Sequence, residues 1–385
     1  MRKKIVFVSH EATRTGAPIL LLNILRHLRE QLSYDFVVVL GKDGPIRPQF
    51  EQVAQVVTYP ALLASGHFAG GLQRLGVLDR YNKSQYQKAF AFKDVEVIFS
   101  NTIVNGELVD KIRSVCQARV ITYVHELAYI IQTFDPAIIQ KTLQQTSLFL
   151  AGSTAVQRQL ISMNVAPERV QVVPSSIPVA SIAEDLAAIE TDSVRFALKL
   201  AVHEQLVVAV GTADWRKGND LFMQMAAQVA LNQPHVHFAW VGVSPGTIEH
   251  LRMSYEIQHY KLEGRFHLVP VTSEYLKYIA SADVFVLPSR EDPFPLVVLE
   301  AAAAGKPVVC FAEAGGTPDF VGTTNGEVVP YGDITAMSSA VATLLSNHST
   351  RQQKGANARA TVQQDYNTPQ VAARIARLMT LPVSW

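Results

Sequence analysis

The sequence predicts an α/β protein built from two doubly wound, parallel-sheet (Rossmann-like) domains that face each other across a cleft. Short apolar runs alternate with helix-forming segments along the chain, as buried parallel strands and their crossover helices do. The alternation occurs in two halves, each with loops clustered at its strand ends, which is typical of open parallel sheets. A length of 385 residues is enough to bury two cores. We place the domain boundary near residue 180.

Composition and charge exclude several classes of protein. Lys and Arg number 34 and Asp and Glu 33, so the formal net charge of +1 lacks the basic footprint of a nucleic-acid-binding protein. Cys116 and Cys310 are far apart in sequence, as expected for reduced core residues of a cytosolic protein. We find no run of roughly 18 apolar residues and no signal-peptide cleavage site near the N-terminus. We therefore expect a cytoplasmic protein.

In the first half, strands are predicted at residues 5–9, 36–40, 53–58, 95–100, 120–124, from 148, and at 170–173, with helices at 19–28 and from about 154. The loop before the first helix contains Gly16, which permits close approach of a ligand, and Pro18, which suits a helix start. An ordinary strand-to-helix turn is the alternative. His125 follows a strand at its carboxyl end, where parallel sheets bind ligands. A structural histidine bonded to a loop is the alternative there.

Residues 74–93 contain five basic side chains, one acid and four interleaved aromatic residues. A basic, aromatic, amphipathic segment can lie in a lipid headgroup layer, which would give peripheral contact with the inner face of a membrane. A solvated helix with an aromatic face turned to the core is the other interpretation. The sequence leaves both open.

In the second half, a linker helix is predicted at 180–200 and strands at 206–210, 237–241, 266–268, 284–287 and 308–311. Gly211 and Thr212 follow the first of these strands. Arg216 and Lys217 come next, and they offer a planar fork and a point charge to a diphosphate. We find no cluster of His, Asp and Glu with metal-ligand spacing in the sequence.

The segment at residues 284–311 is a strand, an acidic loop, a helix and a second strand. Pro295 is predicted at the first helical position, so the N–H groups of Leu296 and Val297 would be free to bind a phosphate. Asp292 and Glu300, separated by seven residues, suit hydroxyl groups better than phosphate, because carboxylates are acceptors. A helix start with complementary acids on a solvated surface is the alternative.

The segment DPFPLVVLEA at residues 292–301 resembles the acid-x7-Glu signature of retaining glycosyltransferases of family 4, also called glycosyl transferases group 1, which have the GT-B architecture. In that family the first acid holds the hydroxyls of the donor sugar and the second holds the nucleotide ribose. Two departures matter: the first acid is Asp292 instead of Glu, although Glu291 is adjacent, and Pro295 replaces a glycine and removes one N–H.

The resemblance extends over essentially the whole chain. It implies that Arg216 and Lys217 neutralise the departing diphosphate without a metal, and that His125 contacts the donor sugar. Residues 174–178 resemble the family's hinge, and residues 311–319 resemble its Gly-Gly-x-Pro-acid loop. The resemblance also implies an acceptor-side domain (1–180), a nucleotide-sugar domain (181–365) and a closing segment (366–385) whose helix, at about 369–379, crosses back to the first domain.

The activity implied is retaining transfer of a hexose from a nucleoside-diphosphate sugar to an acceptor hydroxyl, in glycan, glycolipid or polysaccharide biosynthesis. A UDP-sugar is the expected donor and a GDP-sugar the alternative; the acceptor is a carbohydrate or lipid-linked, and no cofactor or metal is expected. A nucleotide-sugar epimerase and a non-catalytic sugar-nucleotide-binding homologue are the other hypotheses. The predicted catalytic residues are His125, Arg216, Lys217 and Asp292. The predicted donor-binding residues are Gly16, Gly211, Thr212, Arg216, Lys217, Pro270, Thr272, Glu291, Asp292, Phe294, Pro295, Leu296, Val297 and Glu300.

Overall fold

The structure is a computed structural model that describes residues 3–59 and 63–380. The chain divides into two compact units: Met1–Pro174 with Thr368–Trp385, and Ser175–Asn367. Each unit contains one parallel sheet. Part of the N-terminus considered for a signal peptide (residues 1–2) and the end of the predicted closing segment (381–385) lie outside the described residues.

Seven strands form the sheet of the first unit. They are β1 (Lys4–Ser9), β2 (Asp35–Leu40), β3 (Gln55–Thr58), β4 (Val95–Ser100), β5 (Arg119–Val124), β6 (Leu148–Ala151) and β7 (Val170–Val172). Their order across the sheet is β3-β2-β1-β4-β5-β6-β7. The central strands are buried on both faces, which explains their continuous apolar sequences. The third strand begins at Gln55 and not at residue 53, because a turn precedes it.

The helices that follow these strands are α1 (Gly16–Gln31), α2 (Arg47–Glu51), α3 (Gly66–Arg74), α4 (Leu78–Ala89), α5 (Gly106–Arg113), α6 (Ala128–Gln132), α7 (Pro136–Gln145) and α8 (Thr154–Ser162). Short 3₁₀ turns occur at Ile103–Asn105 and Pro167–Arg169. The first helix starts at Gly16, two residues before the predicted Pro18, with Thr15 as its N-cap.

The basic, aromatic segment at 74–93 turns three of its four aromatic residues, Tyr86, Phe90 and Phe92, toward the core. Phe90 is fully buried, and its ring lies 6.2 Å from that of Tyr59, 6.3 Å from that of Tyr86 and 6.4 Å from that of Phe92. All five basic side chains of the segment are exposed. This arrangement favours the solvated helix with an aromatic core face. No helix in the described part of the chain is long and apolar enough to cross a membrane.

Six strands form the sheet of the second unit: β8 (Gln205–Val210), β9 (Val236–Val241), β10 (Phe266–Val269), β11 (Val284–Leu287), β12 (Val308–Phe311) and β13 (Gly326–Val329). Their order is β10-β9-β8-β11-β12-β13. The strand order in both sheets reverses once, between β1 and β4 in the first and between β8 and β11 in the second. Ligands of doubly wound folds bind at the carboxyl ends of the strands at this reversal. The loops after β8 and β11 are the ones that carry most of the predicted site.

The remaining helices are α9 (Val179–Ala187), α10 (Thr191–Ala197), α11 (Asn219–Asn232), α12 (Ile248–His259), α13 (Tyr275–Ser281), α14 (Leu296–Ala303), α15 (Thr317–Val321), α16 (Ile334–Ser346), α17 (His348–Asp365) and α18 (Thr368–Thr380). The predicted single linker helix at 180–200 is therefore two helices, α9 and α10. The last helix, α18, packs in the core of the first unit, where Val371 and Ile375 join Leu21 and Leu25 of α1.

Candidate functional site

The loops that follow β8 and β11 meet at the carboxyl edge of the second sheet. The N–H of Arg290 donates to the carbonyl of Arg216 at 2.8 Å and joins the loops directly. Gly218 permits this approach: its φ is +73°, and a Cβ there would lie 2.1 Å from the carbonyl oxygen of Pro288. Backbone contacts therefore hold the two predicted loops together.

The loop after β12 supports the same site. The N–H of Asp292 donates to the carbonyl of Ala314 at 2.7 Å, and the N–H of Gly316 donates to that of Pro293 at 2.9 Å. Gly315 has φ +137°, and a Cβ on it would lie only 1.7 Å from the carbonyl oxygen of Asp292. Because only glycine fits there, the two-glycine segment fixes the backbone of Asp292.

Arg216 and Lys217 lie beside the predicted sugar-binding acid. The Nζ of Lys217 donates to Oδ2 of Asp292, and Nη1 of Arg216 lies 3.9 Å from the same oxygen. Nη1 of Arg216 also donates to the carbonyl of Glu291 at 3.0 Å. The two cations therefore share one carboxylate oxygen of Asp292. Their side chains remain 21% and 17% exposed, so an anion can reach them.

Arg290 is a positioning residue that the sequence did not indicate. Its guanidinium makes a two-pronged ion pair with Asp220, at 2.8 and 2.7 Å, and lies 5.0 Å from the ring centroid of Trp215. Burial disfavours the charge on Asp220, but the hydrogen bonds from Arg290 outweigh it and lower the pKa of that carboxyl. The ion pair links the loop between β11 and α14 to the start of α11. It thereby restrains the neighbouring loop that carries Arg216 and Lys217.

The N-terminus of α14 opens at this edge. The helix begins at Leu296, and Pro295 is its N-cap (φ −74°, ψ 136°) instead of its first residue as predicted. The cap makes no side-chain hydrogen bond, and the N–H of Val298 is taken by the Pro295 carbonyl at 3.2 Å. The first two helical N–H groups, those of Leu296 and Val297, precede the intrahelical ladder and can bind an anion.

Glu300 is buried inside α14, at 6% exposure. The hydroxyl of Tyr275 donates to its Oε1 at 2.8 Å, whereas Oε2 is buried without a hydrogen-bond partner among the described residues. Burial raises the pKa of Glu300 to about 7, although the Tyr275 hydrogen bond opposes the shift. An acceptor oxygen in this state is suited to a hydroxyl donor from a ligand. Tyr275 was not predicted, because it lies 25 residues away on α13.

The other predicted donor-binding positions differ in accessibility. Phe294 is 7% exposed and packs against Phe320 and Tyr366, with ring centroids 6.2 and 5.3 Å apart. Its side chain therefore anchors the loop in the core and does not face its surface. Glu291 is half-buried next to Asp292.

The loops after β8 and β10 carry the remaining positions. A Cβ on Gly211 would lie 3.5 Å from Cδ of Lys217, an ordinary contact, so packing does not require glycine there. Thr212 and Pro270 are exposed. The hydroxyl of Thr272 accepts an N–H from two residues further on at 3.1 Å. These residues lie at the carboxyl edge of the same sheet.

In the first unit, His125 lies at the end of β5. Its Nε2 is 3.2 Å from Oδ1 of Asn101, whose amide is oriented by donating to the carbonyl of Ala17 at 2.8 Å. Nε2 therefore carries the proton. The imidazole packs 4.1 Å from the ring of Tyr123. Burial, with a smaller contribution from His10, lowers the pKa of His125 to about 3, so the ring is neutral at neutral pH.

Glu126, the next residue, fixes the loops around His125. Thr102 donates to its Oε1, and the N–H groups of Ile103 and His125 donate to Oε2 at 3.3 and 3.0 Å. Burial raises the pKa of Glu126 in spite of these donors. Gly16 is exposed at the start of α1, and no atom of residues 3–59 or 63–380 lies within 4 Å of the position that a Cβ would take there.

The structure corrects our expectation that no His, Asp and Glu cluster has metal-ligand spacing. Among the described residues, His203, Glu204 and His235 offer ligand atoms that all lie within 4.8 Å of one another. The cluster lies at the amino ends of β8 and β9, at the opposite edge of the sheet from Arg216 and Lys217. Metal-independent transfer therefore stays a prediction for the carboxyl edge.

Comparison with known proteins identifies relatives. Residues 190–361 match the family model described as glycosyl transferases group 1. A GDP-mannose-dependent monoacylated alpha-(1-6)-phosphatidylinositol monomannoside mannosyltransferase of Corynebacterium glutamicum is 27% identical over 172 residues, 43% of this chain and 44% of the relative. A D-inositol 3-phosphate glycosyltransferase of Kineococcus radiotolerans is 26% identical over 236 residues, 57% and 54% of the two chains. The chain thus spans about half the length of these curated relatives.

Solved structures match over nearly the whole chain. The Anabaena protein Alr3699/HepE, in complex with UDP and glucose, superposes with a TM-score of 0.81 at 20% identity, covering 99% of this chain and 100% of that one. Sucrose-phosphate synthase from Thermosynechococcus elongatus superposes with a TM-score of 0.74 at 21% identity, covering 98% of each chain. At these identities the likeness shows the fold, and it confirms the predicted class of two doubly wound α/β domains in the GT-B architecture.

Proposed function

We propose that this chain, whose residues 190–361 match the family model described as glycosyl transferases group 1, is a retaining glycosyltransferase. It transfers a hexose from a nucleoside-diphosphate sugar to an acceptor hydroxyl, in the cytoplasm and without a metal ion at the reacting centre. The observation that carries the proposal is the pairing of Arg216 and Lys217 with Asp292 beside the open N-terminus of α14. This arrangement provides an anion site with a hydroxyl acceptor next to it.

Donor binding rearranges the charges of this cluster. Lys217 and Arg216 exchange the Asp292 carboxylate for diphosphate oxygens, which carry more negative charge and accept forked hydrogen bonds from Arg. The N–H groups of Leu296 and Val297 complete the anion site from the helix start. Asp292, released from Lys217, then accepts hydrogen bonds from the sugar hydroxyls. The same cations stabilise the charge that develops on the departing diphosphate, which is the largest catalytic contribution expected.

Glu300 binds the nucleotide ribose in this proposal. Its buried Oε2 lacks a partner in the described residues, and a ribose hydroxyl supplies the missing donor. Tyr275 holds Oε1 at 2.8 Å and so orients the carboxylate. Pro270 and Thr272 lie along the nucleotide base.

His125 contacts the donor sugar as a neutral imidazole. With its proton on Nε2, Nδ1 is the acceptor for a sugar hydroxyl. A pKa of about 3 makes proton donation by a charged imidazolium unfavourable at neutral pH. We therefore assign His125 to positioning and polarisation of the sugar. Gly16, beside an open space at the start of α1, leaves room for the diphosphate or the acceptor.

The stereochemical course is retention. In this proposal Asp292 binds the sugar hydroxyls and does not attack the anomeric carbon, so no carboxylate acts as a nucleophile, in contrast to the two-carboxylate pattern of retaining glycosidases. The acceptor hydroxyl attacks on the face from which the diphosphate departs, and a donor phosphate oxygen takes its proton. The products are the glycosylated acceptor with retained anomeric configuration and a nucleoside diphosphate.

For the donor we propose a UDP-sugar, with a GDP-sugar as the alternative. The Anabaena structure holds UDP and glucose, whereas the Corynebacterium relative is named as GDP-mannose-dependent. The acceptor is proposed to be carbohydrate or lipid-linked, as in polysaccharide or glycolipid synthesis. We also propose peripheral contact with the inner face of a membrane through residues 74–93. The exposed basic side chains would make this contact, since Tyr86, Phe90 and Phe92 pack toward the core.

The test is thermal-shift screening against UDP- and GDP-sugars, followed by a turnover assay with the sugars that raise the melting temperature. Release of nucleoside diphosphate with formation of a glycoside supports the proposal. Interconversion of sugar nucleotides without release would identify an epimerase, and binding without turnover would identify a non-catalytic homologue. Determining the anomeric configuration of the glycoside by NMR tests retention separately.

A further inference from the structure

Two short segments at the amino edge of the second sheet bring imidazole and carboxylate groups together. His203 and Glu204 directly precede β8, and His235 directly precedes β9. The strands are in parallel register with Gln205 opposite Val236, so Glu204 and His235 occupy the preceding positions on adjacent strands. The N–H of Gln205 donates to the carbonyl of His235 at 2.9 Å and holds the segments together.

The side chains of this group have the donor set of a transition-metal site. The ligand atoms of His203, Glu204 and His235 all lie within 4.8 Å of one another, and the two imidazole rings are 5.2 Å apart. Ligand atoms around tetrahedral zinc, at bonds of about 2.0–2.1 Å, are separated by about 3.4 Å. Because both histidines are exposed, small side-chain rotations can close the difference.

We propose that His203, Glu204 and His235 bind one divalent transition-metal ion, of which Zn²⁺ is the representative. Imidazole nitrogen with one carboxylate oxygen suits Zn²⁺, Ni²⁺ and Cu²⁺, whereas Mg²⁺ and Ca²⁺ require mostly oxygen ligands. Three protein ligands leave one tetrahedral position for water.

The carboxylate is already oriented for this role. The N–H of Ala201 donates to Oε2 of Glu204 at 2.7 Å, and Nε2 of His237 lies 3.2 Å from the same oxygen. Both contacts fall on Oε2, so Oε1 is the oxygen offered to the ion. The Nδ1 of His237 is in turn 3.0 Å from Nε2 of His267. With one proton on each imidazole, Nε2–H of His267 donates to Nδ1 of His237, and Nε2–H of His237 donates to Oε2 of Glu204.

This histidine relay resembles the outer-shell hydrogen bonding that holds metal ligands in place. His237 is 5% exposed, and its ring is nearly parallel to that of His267, at an interplanar angle of 10°, as an in-plane hydrogen bond requires, so burial holds the relay in this geometry. Arg195 adds rigidity, since its Nη2 donates to the carbonyls of Ala201 and Glu204 at 2.9 and 2.6 Å. The loop that supplies two of the three ligands is therefore held before an ion arrives.

The ion would cross-link the starts of two neighbouring strands and stabilise the second unit. A strand of six residues, about 20 Å long at about 3.3 Å per residue, separates it from Arg216 and Lys217. The inference uses none of the residues of the proposed donor site, so the two proposals stand or fall separately.

The test is titration of the full-length chain, carrying no polyhistidine tag and stripped of metal with EDTA, with ZnCl₂ in a calorimeter. We expect one Zn²⁺ per chain and no heat of binding from MgCl₂. His203→Ala and His235→Ala should each weaken Zn²⁺ binding at least about tenfold, and His237→Gln, which removes the relay, about 10- to 100-fold. His348→Ala, at an exposed histidine outside the cluster, is the matched control and should bind as the parent does.

Thermal unfolding with and without ZnCl₂ provides the second measurement. The parent and His348→Ala should melt at higher temperature with Zn²⁺, and the double variant His203→Ala/His235→Ala should not. Because both ligands are exposed, the double variant is expected to fold, which far-UV circular dichroism checks. Unchanged Zn²⁺ affinity in the double variant, or no Zn²⁺ binding by the parent, would overturn the proposal.

Discussion

Substitution of the buried acid Glu300 by Gln should change ligand affinity and stability in opposite directions. The variant keeps an oxygen for the Tyr275 hydroxyl but replaces the charged acceptor by a neutral amide. A hydrogen bond to a charged group contributes about 1.5–3 kcal/mol, so the affinity for UDP should fall about tenfold or more. Isothermal titration calorimetry with UDP measures this loss.

The same substitution should stabilise the unliganded protein at alkaline pH. The pKa of Glu300 is raised by burial from its ordinary 4.5 to about 7. A group with a raised folded-state pKa contributes stability that is complete below about pH 4.5 and is lost as the pH rises through about 7. The loss from pH 5 to pH 8 is about 2.5 kcal/mol, at about 1.4 kcal/mol per pKa unit. Gln does not titrate, so the variant escapes this loss.

The melting temperature of Glu300→Gln, relative to the parent, should therefore rise by about 5–10 °C between pH 5 and pH 8, at about 2–4 °C per kcal/mol for a unit of this size. Glu263→Gln, at an exposed glutamate in the turn before β10, is the matched control and should show neither effect. Parent-like UDP affinity together with the stability gain would place Glu300 in the core but away from the ribose. Absence of the pH-dependent gain would refute the argument from burial itself.

The other predictions concern the charged cluster and the first unit. Arg216→Ala and Lys217→Ala should each lower turnover about 10²-fold or more, as for other preorganised charge-stabilising groups; turnover within a factor of two of the parent in both would contradict their role. Turnover should be unchanged by EDTA, because Arg216 and Lys217 neutralise the charge of the diphosphate in place of a metal ion. Asp292→Asn should impair use of the sugar nucleotide more than Glu291→Gln does and spare UDP binding; the reverse order of damage would make Glu291 the sugar-binding acid. His125→Ala should keep most of the UDP affinity and lose turnover, and equal losses of both would show that the residue is structural.

The parts of the fold that the sequence predicted are those encoded locally. Buried parallel strands appear in a sequence as apolar runs, so β4, β11 and β12 have the bounds that the apolar runs predicted. Helix starts were less accurate, because the capping residue depends on the preceding loop: α1 begins before Pro18, and α14 begins after Pro295. The strand order of each sheet, and with it the reversal between β8 and β11, is set by long-range packing that periodicity does not encode.

The candidate site shows the same division. Arg216, Lys217 and Asp292 were predicted because each stands in a loop after an apolar strand and because their segments resemble the family's motifs. The structure brings the three side chains together. Tyr275 was missed because nothing local to α13 distinguishes a tyrosine that faces Glu300 from one that fills the core. The histidine cluster was missed for another reason: His203 and His235 lie far apart in the sequence and come together only because β8 pairs with β9. Histidines at equivalent starts of consecutive parallel strands are a signal that could have found it.

The two acids of the site differ in how their charges are compensated, and this difference bears on how binding is driven. Asp292 is balanced within the protein by Lys217 and Arg216, so the donor must displace an existing ion pair, and the net gain comes from the larger charge of the diphosphate. Within the described part of the chain, Tyr275 donates to one oxygen of Glu300 and the other oxygen has no partner. The burial of Glu300 lowers the stability of the unliganded unit, and a ribose hydroxyl that satisfies this oxygen recovers part of that cost as affinity. At the phosphate end, binding is therefore driven by replacing the Asp292 carboxylate with the more highly charged diphosphate. At the ribose end, binding is driven by supplying a hydrogen-bond donor to the buried, unsatisfied oxygen of Glu300. Inorganic pyrophosphate has no ribose hydroxyl and leaves the second contribution unused, so it should bind weakly compared with UDP.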